Sequence, residues 1–500
     1  MIALTKKSFM HATFNKLINS VFIKKSYLQN ALLRVLFYFL VSSFCLNTLY
    51  AQEYSPYGLY DIKSYKLPNN LEVYLRNRSE VRSVSIRLVV NVGHDNFECG
   101  KTETAHFLEH LLFTGTSKHS ENELDALIEE NGGSWNAETS AERTVYEIDI
   151  YNQYTGLALE TLHEIITDST ISPDNVELSR GIIYRESSGP PTEYAQFLYQ
   201  YGIGKSGYDK ASEIIFTDDE YCAELESAVD VTREDILDAY QRYYVPNNMA
   251  LIVVGDFSKD EVLEQLNNNF GQMKPHDVDF SKPNNKHAYL EEETLTGTLS
   301  PVLSNDADIY VRFRIPGYLS NEFIGFAFIS HYLSREFYKK LRVDNGYTYS
   351  ADSGLAMYEN YGELELYADA EIGQETWITY EMMKIVDTLI EKPIDTEDFN
   401  NIKRGLLLDF SHSLQSNNEL ADYYAEIWHT FLWSDRFDRI EDLYKALTPE
   451  DIHRIASKYL MMDNAVMVNE TPTLTYNQLY ILLSALILGG VLLVRHFVKR

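Results

Sequence analysis

Two segments of the chain, beginning near Thr232 and Thr448, match without a gap at a shift of 216 residues. Each carries a threonine that can cap a helix, then an amphipathic stretch and an apolar run, which predicts a helix followed by a β-strand. The matched pairs are Thr232 with Thr448, Glu234 with Glu450, Asp235 with Asp451, Ile236 with Ile452, Tyr243 with Tyr459, and Asn248 with Asn464. A chance match of one such unit is the alternative, but a shift of domain length favours duplication of a whole domain.

The duplication predicts an α+β protein with two homologous lobes. Three segments of the first lobe have the apolar pattern of β-strands: Leu71–Arg76, Val84–Val92 and Thr144–Ile150. We expect each lobe to be a mainly antiparallel sheet packed with helices. The predicted segments are a first lobe at 52–274, a polar linker at 275–289 and a second lobe at 290–470.

The two ends of the chain are basic and apolar, unlike its middle. Residues 1–51 contain Lys and Arg, no acidic residue and an apolar run before Ala51, which predicts a signal peptide. An organellar transit peptide is the alternative. Near the other end, the apolar run Leu479–Val494 is followed by basic residues, so residues 471–500 are predicted to be a membrane anchor. The alternative is a buried final helix. Together these features predict a periplasm-facing body held in the inner membrane by one C-terminal helix.

The net charge of the chain is −31. An acidic surface repels nucleic acid, so no nucleic-acid partner is expected, and a plain solubility role is the alternative to selection of basic substrates. An oxidising compartment would allow Cys99 and Cys222 to pair, although two cysteines do not establish a disulfide framework.

The segment His106-Phe-Leu-Glu-His110 places two histidines four residues apart, with Glu109 between them. Ala105–Phe113 has no Gly or Pro and is predicted to be a helix that Gly115 can end in a left-handed conformation. Because residues four apart share a helix face, both imidazoles can hold one ion, and Glu109 can take a proton from water. HxxEH is the inverted form of the HExxH metallopeptidase motif. The alternative is a surface helix that carries two histidines by chance.

A catalytic zinc usually has three protein ligands and a water, so a third ligand is needed. Periodicity does not choose among six candidates from the glutamates that follow the helix, which are Glu138, Glu142, Glu160, Glu164, Glu177 and Glu186. Glu186 lies near the far end of a helix predicted to open at Ser172 and Pro173, from where its carboxylate can face a neighbouring helix.

With these motifs the sequence resembles the pitrilysin-type zinc peptidases, a family that includes insulin-degrading enzyme and the mitochondrial processing peptidase. In that family a glutamate ligand follows HxxEH after about 75 residues, and here 75 residues separate His110 from Glu186. The resemblance implies one Zn²⁺ per chain, bound by His106, His110 and Glu186, with Glu109 as general base. The likeness extends from about residue 57 to 468.

Other segments of the resemblance imply how a peptide is bound. Asn136 and Ala137 lie in a segment similar to the family's substrate-binding strand. Arg342 and Tyr349 match its Arg…Tyr element, which implies that both contact the bound peptide and that Tyr349 stabilises the oxyanion. The Asp-Asn-Gly turn between them predicts that Arg342 ends a helix and Tyr349 begins a strand. A purely structural Arg and Tyr at this corner is the alternative.

Two features depart from the family pattern. Ser179 stands where the family often has an acidic residue, for which Glu177 is a candidate substitute, and segment 201–208 lacks the usual His-Pro stretch.

The family encloses its substrate between two halves with four lobes in total. A chain with two lobes therefore implies a homodimer, or a pair with a related subunit, that hydrolyses peptides or unfolded polypeptides in a closed chamber. The alternatives are a non-catalytic binding or assembly subunit of a peptidase complex, and a signalling receptor with a degenerate peptidase body.

Overall fold

The computed structural model describes residues 62–186, 206–215, 231–279, 294–298, 303–359, 361–434 and 440–498. The predicted signal peptide, most of the predicted linker, and Cys222 lie outside these residues. Cys99 is disulfide-bonded, but its pairing with Cys222 stays a prediction, as do the domain boundaries.

The first part of the described chain builds a six-stranded sheet in the order β1-β2-β6-β3-β5-β4. Strands β2 and β6 are parallel, and the other neighbours are antiparallel. The three predicted strands are all present. The strands are β1 (Lys63–Lys66), β2 (Glu72–Asn77), β3 (Ser83–Val90), β4 (Ser134–Thr139), β5 (Thr144–Tyr151) and β6 (Met249–Gly255).

Helices bury one face of this sheet. Along β5 the side chains of Tyr146, Ile148 and Ile150 are buried, and they form one core with Ile86 and Leu88 of β3 and with the helices. The alternation places these residues on one face of the sheet. The helices of this part are α1 (Thr104–Phe113), α2 (Glu121–Glu129), α3 (Thr155–Asp168), α4 (Pro173–Glu186), α5 (Gly207–Ile215), α6 (Arg233–Tyr243) and α7 (Lys259–Asn268).

A second, five-stranded sheet has the order β7-β11-β8-β10-β9, again with one parallel pair, β7 and β11. Its strands are β7 (Thr294–Thr298), β8 (Asp306–Pro316), β9 (Ala351–Met357), β10 (Tyr361–Glu371) and β11 (Ala465–Thr471). The order matches β2-β6-β3-β5-β4 of the first sheet strand for strand. The prediction of an α+β fold with mainly antiparallel sheets is confirmed.

The second sheet has its own helical layer and its own apolar core. Its helices are α8 (Phe323–Phe337), a π-helix (Tyr338–Val343), α9 (Glu375–Glu391), α10 (Thr396–Ser413), α11 (Asn417–Ser434), α12 (Ile440–Ala446) and α13 (Pro449–Tyr459).

The repeated segments fold alike. Thr232 and Thr448 cap α6 and α13, and each accepts a hydrogen bond from the backbone of an aspartate three residues on. The helices α6 and α13, and the strands β6 and β11 that follow them, have bounds that differ by 216 residues at both ends. The predicted helix–strand repeat is therefore confirmed.

One helix from each half of the chain packs on the sheet of the other half. Helix α5 packs on β11 of the second sheet, where Ala211 and Ile215 form a buried apolar cluster with Val466 and Val468. In return α11 packs on β3 and β6 of the first sheet, and Trp428 donates a hydrogen bond of 2.9 Å to Glu72. The exchange joins the two sheets into one body.

The chain ends in α14 (Tyr476–Val498), a helix of 23 residues with no buried residue. It contains the whole predicted apolar run, and within the described residues it is the one helix long and apolar enough to cross a membrane. The junction before it is short and hydrogen-bonded. The amide of Ser304 donates to the carbonyl of Leu474, and the amide of Tyr476 donates to the Asn305 side chain.

Candidate metal centre

Helix α1 presents the two histidines of the HxxEH motif on one face. The Nε2 atoms of His106 and His110 lie 3.1 Å apart, and both rings are about one-fifth exposed. Phe107, Leu108 and Leu111 are fully buried on the opposite face, which fixes the direction in which the imidazoles point. The predicted helix is confirmed.

Helix α4 brings the third group of the cluster. The Oε2 atom of Glu186 lies 3.3 Å from Nε2 of His106 and 3.4 Å from Nε2 of His110. Glu186 is the last residue of α4, and α4 packs against α1 with Arg180 placed over the ring of Phe107. One atom from each of the three residues lies within 4.8 Å of the others, and in the described part of the chain no other His, Cys, Asp and Glu group meets this test for a metal ion.

Most of the other candidate glutamates have different partners. Glu164 accepts from Thr116 and His119, Glu142 accepts from Tyr318, Glu160 accepts from Gln265, and Glu177 accepts from Arg180. The geometry therefore singles out Glu186 among the six.

The donor set fits zinc in type and spacing. Two imidazole nitrogens and one carboxylate oxygen are a usual ligand set of a catalytic zinc, and tetrahedral bonds of about 2.0–2.2 Å separate neighbouring ligand atoms by roughly 3.3 Å. The three separations of 3.1, 3.3 and 3.4 Å match that value.

The electrostatics also favour a cation. Burial alone would lower the pKa of His106, but the hydrogen bond with Glu103 and the charges of Glu109 and Glu186 outweigh it and raise that pKa.

Glu109 lies between the cluster and the first sheet. Its Oε2 accepts a hydrogen bond of 2.5 Å from the Thr139 hydroxyl at the end of β4. Behind it Tyr146 and Tyr244 are buried and share a hydrogen bond of 2.8 Å. Burial, together with the charge of Glu109, raises the pKa of both phenols. The phenols therefore stay protonated, and Glu109 faces neutral groups on that side.

Strand β4 lies at one end of the sheet order, so within the described residues only one of its edges is paired. Asn136 of β4 is exposed and Ala137 is half-buried; they pair with Glu147 and Tyr146 of β5. An open edge strand can accept an added peptide strand. Because the Thr139 hydroxyl of this strand donates to Glu109, the strand with the open edge contacts the predicted base directly.

Arg342 and Tyr349 lie against each other. The Arg342 guanidinium sits 4.7 Å from the centre of the Tyr349 ring, and Tyr349 is 76% exposed. Within the described residues, no hydrogen bond, ion pair or ring contact joins either side chain to His106, His110 or Glu186. The predicted pair therefore makes no direct contact with the cluster among the residues described in one chain.

The corner that carries this pair differs slightly from its prediction. Arg342 lies in the last turn of the π-helix, and Gly346 makes the predicted turn with a positive φ of 64°. The prediction that Tyr349 begins a strand is wrong by two residues, since β9 starts at Ala351. The Asp369 carboxylate accepts from the amides of Tyr349 and Ser350, in place of a strand partner.

Sequence reasoning missed Glu103. Its carboxylate binds Nδ1 of His106 at 2.7 Å. Ser179 is fully buried, and its hydroxyl has no hydrogen-bond partner among the described residues. The side chain of Glu177 is 71% exposed and pairs with Arg180. Besides Glu186, an acidic group from the turn before α1 therefore contacts a histidine of the cluster. Glu103 lies three residues before His106, and residues three apart on a helix are neighbours, so this spacing could have predicted the contact from sequence.

Comparison with known proteins agrees with this fold. Residues 72–202 match the family model described as insulinase (peptidase family M16), and residues 230–406 match the model of the peptidase M16 inactive domain. The chain belongs to the pitrilysin-type M16 peptidase family. The matched cluster residues all fall within the first of these two regions.

Three relatives show the extent of the similarity. The chain is 27% identical to the probable zinc protease PqqL of Haemophilus influenzae over 48% of its own length and 27% of that protein. It is 25% identical to the uncharacterized zinc protease YmxG of Bacillus subtilis over 71% of its own length and 85% of that protein. A crystal structure of a protease from Helicobacter pylori has a TM-score of 0.67 at 19% identity, covering 82% of this chain and 99% of that one. The chain thus spans about a quarter of the first relative and most of the other two.

Proposed function

We propose that this protein is a zinc-dependent endopeptidase. The observation that carries the proposal is the cluster of His106, His110 and Glu186. A fourth residue of the motif, Glu109, is not one of the three ligand candidates and binds Thr139 instead. When bound, zinc supplies a Lewis acid and lowers the pKa of water to about 7.

The residues of the chain perform the remaining steps. Glu109 takes a proton from the attacking water and later donates it to the leaving amine. The Thr139 hydroxyl holds this carboxylate in place. Asn136 and Ala137 align an extended peptide along the open edge of β4, which presents its scissile bond beside Glu109. Such binding requires an extended chain, so peptides and unfolded polypeptides are the expected substrates.

We further propose that the site is completed by a second chain, either an identical copy or a related subunit. Tyr349 and Arg342 are exposed together, and among the described residues neither contacts the cluster of its own chain. A partner facing the open edge of β4 would supply both residues to the bound peptide, where Tyr349 stabilises the oxyanion.

The membrane anchor and the outward-facing location belong to the same proposal. Helix α14 is long enough to span a bilayer and has no buried residue, and Arg495 is followed by further basic residues at its end. Basic flanks stay on the cytoplasmic side, which favours a peptidase body outside, in the periplasm.

A non-catalytic subunit is the alternative function. Such a subunit is expected to lose ligands, whereas this chain keeps the two histidines, Glu186 and Glu109. The inactive-domain match lies at residues 230–406 and does not include the cluster.

The test compares Glu109→Gln, Glu186→Gln and the control Glu130→Gln, an exposed glutamate at the end of α2. Zinc content is measured by mass spectrometry, and turnover by cleavage of a quenched peptide with and without a chelator. We expect Glu109→Gln to keep zinc and lose about 10²–10⁴-fold in turnover. Glu186→Gln should lose zinc, and Glu130→Gln should resemble the wild type. A Glu109→Gln protein that cleaves at the normal rate refutes the proposal.

A further inference from the structure

The side chain of Glu103 is placed in the turn that leads into α1. The carbonyl of Glu103 accepts a hydrogen bond of 2.8 Å from the amide of Phe107, so the residue is already part of the first helical turn. Its carboxylate is 18% exposed and lies 2.7 Å from Nδ1 of His106. The helix thus fixes both ends of this contact.

The two nitrogens of the His106 ring have different neighbours. Nδ1 faces Glu103, whereas Nε2 faces the cluster, at 3.1 Å from His110 and 3.3 Å from Glu186. A neutral imidazole has one N–H and one lone pair. A carboxylate at Nδ1 accepts a hydrogen bond from an N–H there and so favours the tautomer with its proton on Nδ1. The lone pair of Nε2 then points at the metal position.

We propose that Glu103 is a positioning residue, which holds His106 in the tautomer and ring orientation that a metal ion requires. The inference rests on the proposed function, because it needs a metal at the cluster. Carboxylates that bind the far nitrogen of a ligating histidine raise its basicity and restrict its rotation, and removal of such partners typically lowers metal affinity about 10–100-fold.

The support is confined to one of the two histidines. Within the described part of the chain no hydrogen bond reaches Nδ1 of His110, which makes its polar contacts through Nε2. Glu103 therefore affects metal binding through His106 alone. Its loss should weaken the site without abolishing it, unlike the loss of Glu186.

The experiment uses the full chain in detergent and three variants at this position: Glu103→Ala, Glu103→Gln and Glu103→Asp. The control is Glu98→Ala, which removes a glutamate that is 66% exposed and pairs with Lys101. The zinc dissociation constant is measured by competition with a chromogenic chelator, and the thermal midpoint is measured on the metal-free proteins. The second readout separates metal positioning from a general structural role.

We expect Glu103→Ala to weaken zinc binding about 10–100-fold and Glu103→Gln to weaken it less, because the amide oxygen still accepts a hydrogen bond without a charge. Glu103→Asp should recover part of the affinity, and Glu98→Ala should match the wild type. The metal-free midpoints of Glu103→Gln and the wild type should agree. Zinc affinity of Glu103→Ala within two-fold of the wild type overturns the inference, as does an equal loss in Glu98→Ala. A wild-type protein that binds no zinc instead overturns the proposed function and, with it, this inference.

Discussion

Arg87 and Arg312 lie on corresponding strands of the two sheets, two residues apart in register, and each is buried against a helix from the other half of the chain. Arg87 on β3 lies opposite Glu147 of β5, and Arg312 on β8 lies opposite Glu365 of β10. Both arginines are at most 2% exposed. The two sheets thus repeat a buried charge at the seam between the halves.

The partners of the two arginines differ in burial. Arg312 makes two hydrogen bonds to Glu363, at 2.8 and 2.6 Å, and that carboxylate is 6% exposed. Arg87 binds Asp422 of α11 and Asp149 of β5, whose side chains are 49% and 34% exposed. The carboxylates around Arg87 can therefore be hydrated if the arginine is lost, whereas Glu363 cannot.

We expect Arg312→Met to lower the free energy of unfolding by about 3–5 kcal/mol, because it leaves a buried carboxylate without a partner. Arg87→Met should lower it by less, since water can solvate its former partners. Urea-induced unfolding of the chain in detergent measures both. The double variant Arg312→Met/Glu363→Leu is the control and should recover most of the loss, since an apolar pair replaces the buried ion pair. Equal losses in the two single variants would contradict this account.

Sequence periodicity predicted the fold well where the signal was local. The capped helices at Thr232 and Thr448 and the strands after them were visible because capping and apolar runs are short-range patterns. The HxxEH helix was visible for the same reason, and it placed His106 and His110 on one face. The choice of Glu186 came from a resemblance, because 75 intervening residues carry no geometric information.

Other features depend on tertiary packing and had no sequence signal. Nothing in the sequence of α5 or α11 shows which sheet each helix covers, since an apolar face packs on either. The start of β9 was misplaced because Asp369, twenty residues beyond Tyr349, takes the amides that a strand partner would bind. The Glu103–His106 contact is local, so its spacing could have predicted it. That spacing is also common among ordinary surface pairs on helices, which do not bind a metal ligand.

The Thr139 hydroxyl should matter for turnover more than for metal binding. Hydrogen bonds to charged groups contribute about 1.5–3 kcal/mol, so Thr139→Val is expected to lower kcat by roughly ten-fold or more. Zinc content should stay unchanged, because Thr139 contacts Glu109 and no ligand. Thr139→Ser keeps the hydroxyl and serves as the matched control. Steady-state cleavage of a quenched peptide gives kcat and KM; an unchanged kcat in the valine variant would show that Glu109 needs no support from β4.

Acid should destabilise the fold through its capping aspartates. The Thr448 hydroxyl, with help from Arg454, lowers the pKa of Asp451. Burial alone would raise the pKa of Asp235, but hydrogen bonds from Lys101 and Thr232 outweigh it and lower that pKa. A lowered pKa stabilises the folded state above the unfolded value, which is about 3.9 for Asp, and this contribution is lost as the pH falls through the folded value.

The double variant Asp235→Asn/Asp451→Asn should therefore be less stable than the wild type at pH 7, and the difference should narrow as the pH falls below about 3.9. The expected difference at pH 7 is at most about 1 kcal/mol for each site, because both carboxylates are partly exposed. Thermal unfolding across this pH range measures it. Glu264→Gln, at an exposed position of α7, is the control and should show no such convergence.

Helix α14 should hold the protein in the membrane. We expect the full chain to stay in the pellet after alkaline carbonate extraction and a chain ending at Thr471 to be released. Leu486→Arg/Val491→Arg places two charges within the apolar stretch, where each costs about 2.5–3.5 kcal/mol for insertion, and should also be released. The exposed pair Leu408→Arg/Met461→Arg, outside this helix, is the matched control. Retention of the chain that ends at Thr471 would exclude α14 as the anchor.

The exposed pair Arg342 and Tyr349 should act in trans if the active assembly is a homodimer. A Glu109→Gln chain and an Arg342→Ala/Tyr349→Phe chain would each form inactive dimers by themselves. In a mixed dimer, one of the two sites then combines an intact cluster with an intact Arg–Tyr pair, and the other site carries both defects. After dissociation and random remixing in equal amounts, half of the dimers are mixed, so about a quarter of the wild-type activity should return. Cleavage of a quenched peptide before and after remixing measures this recovery.

The matched control pairs Glu109→Gln with Glu186→Gln, whose defects share one cluster, so remixing should restore no activity. Failure of the Arg–Tyr mixture to gain activity, in a protein that sediments as a dimer, would show that the site is not shared between two copies of this chain.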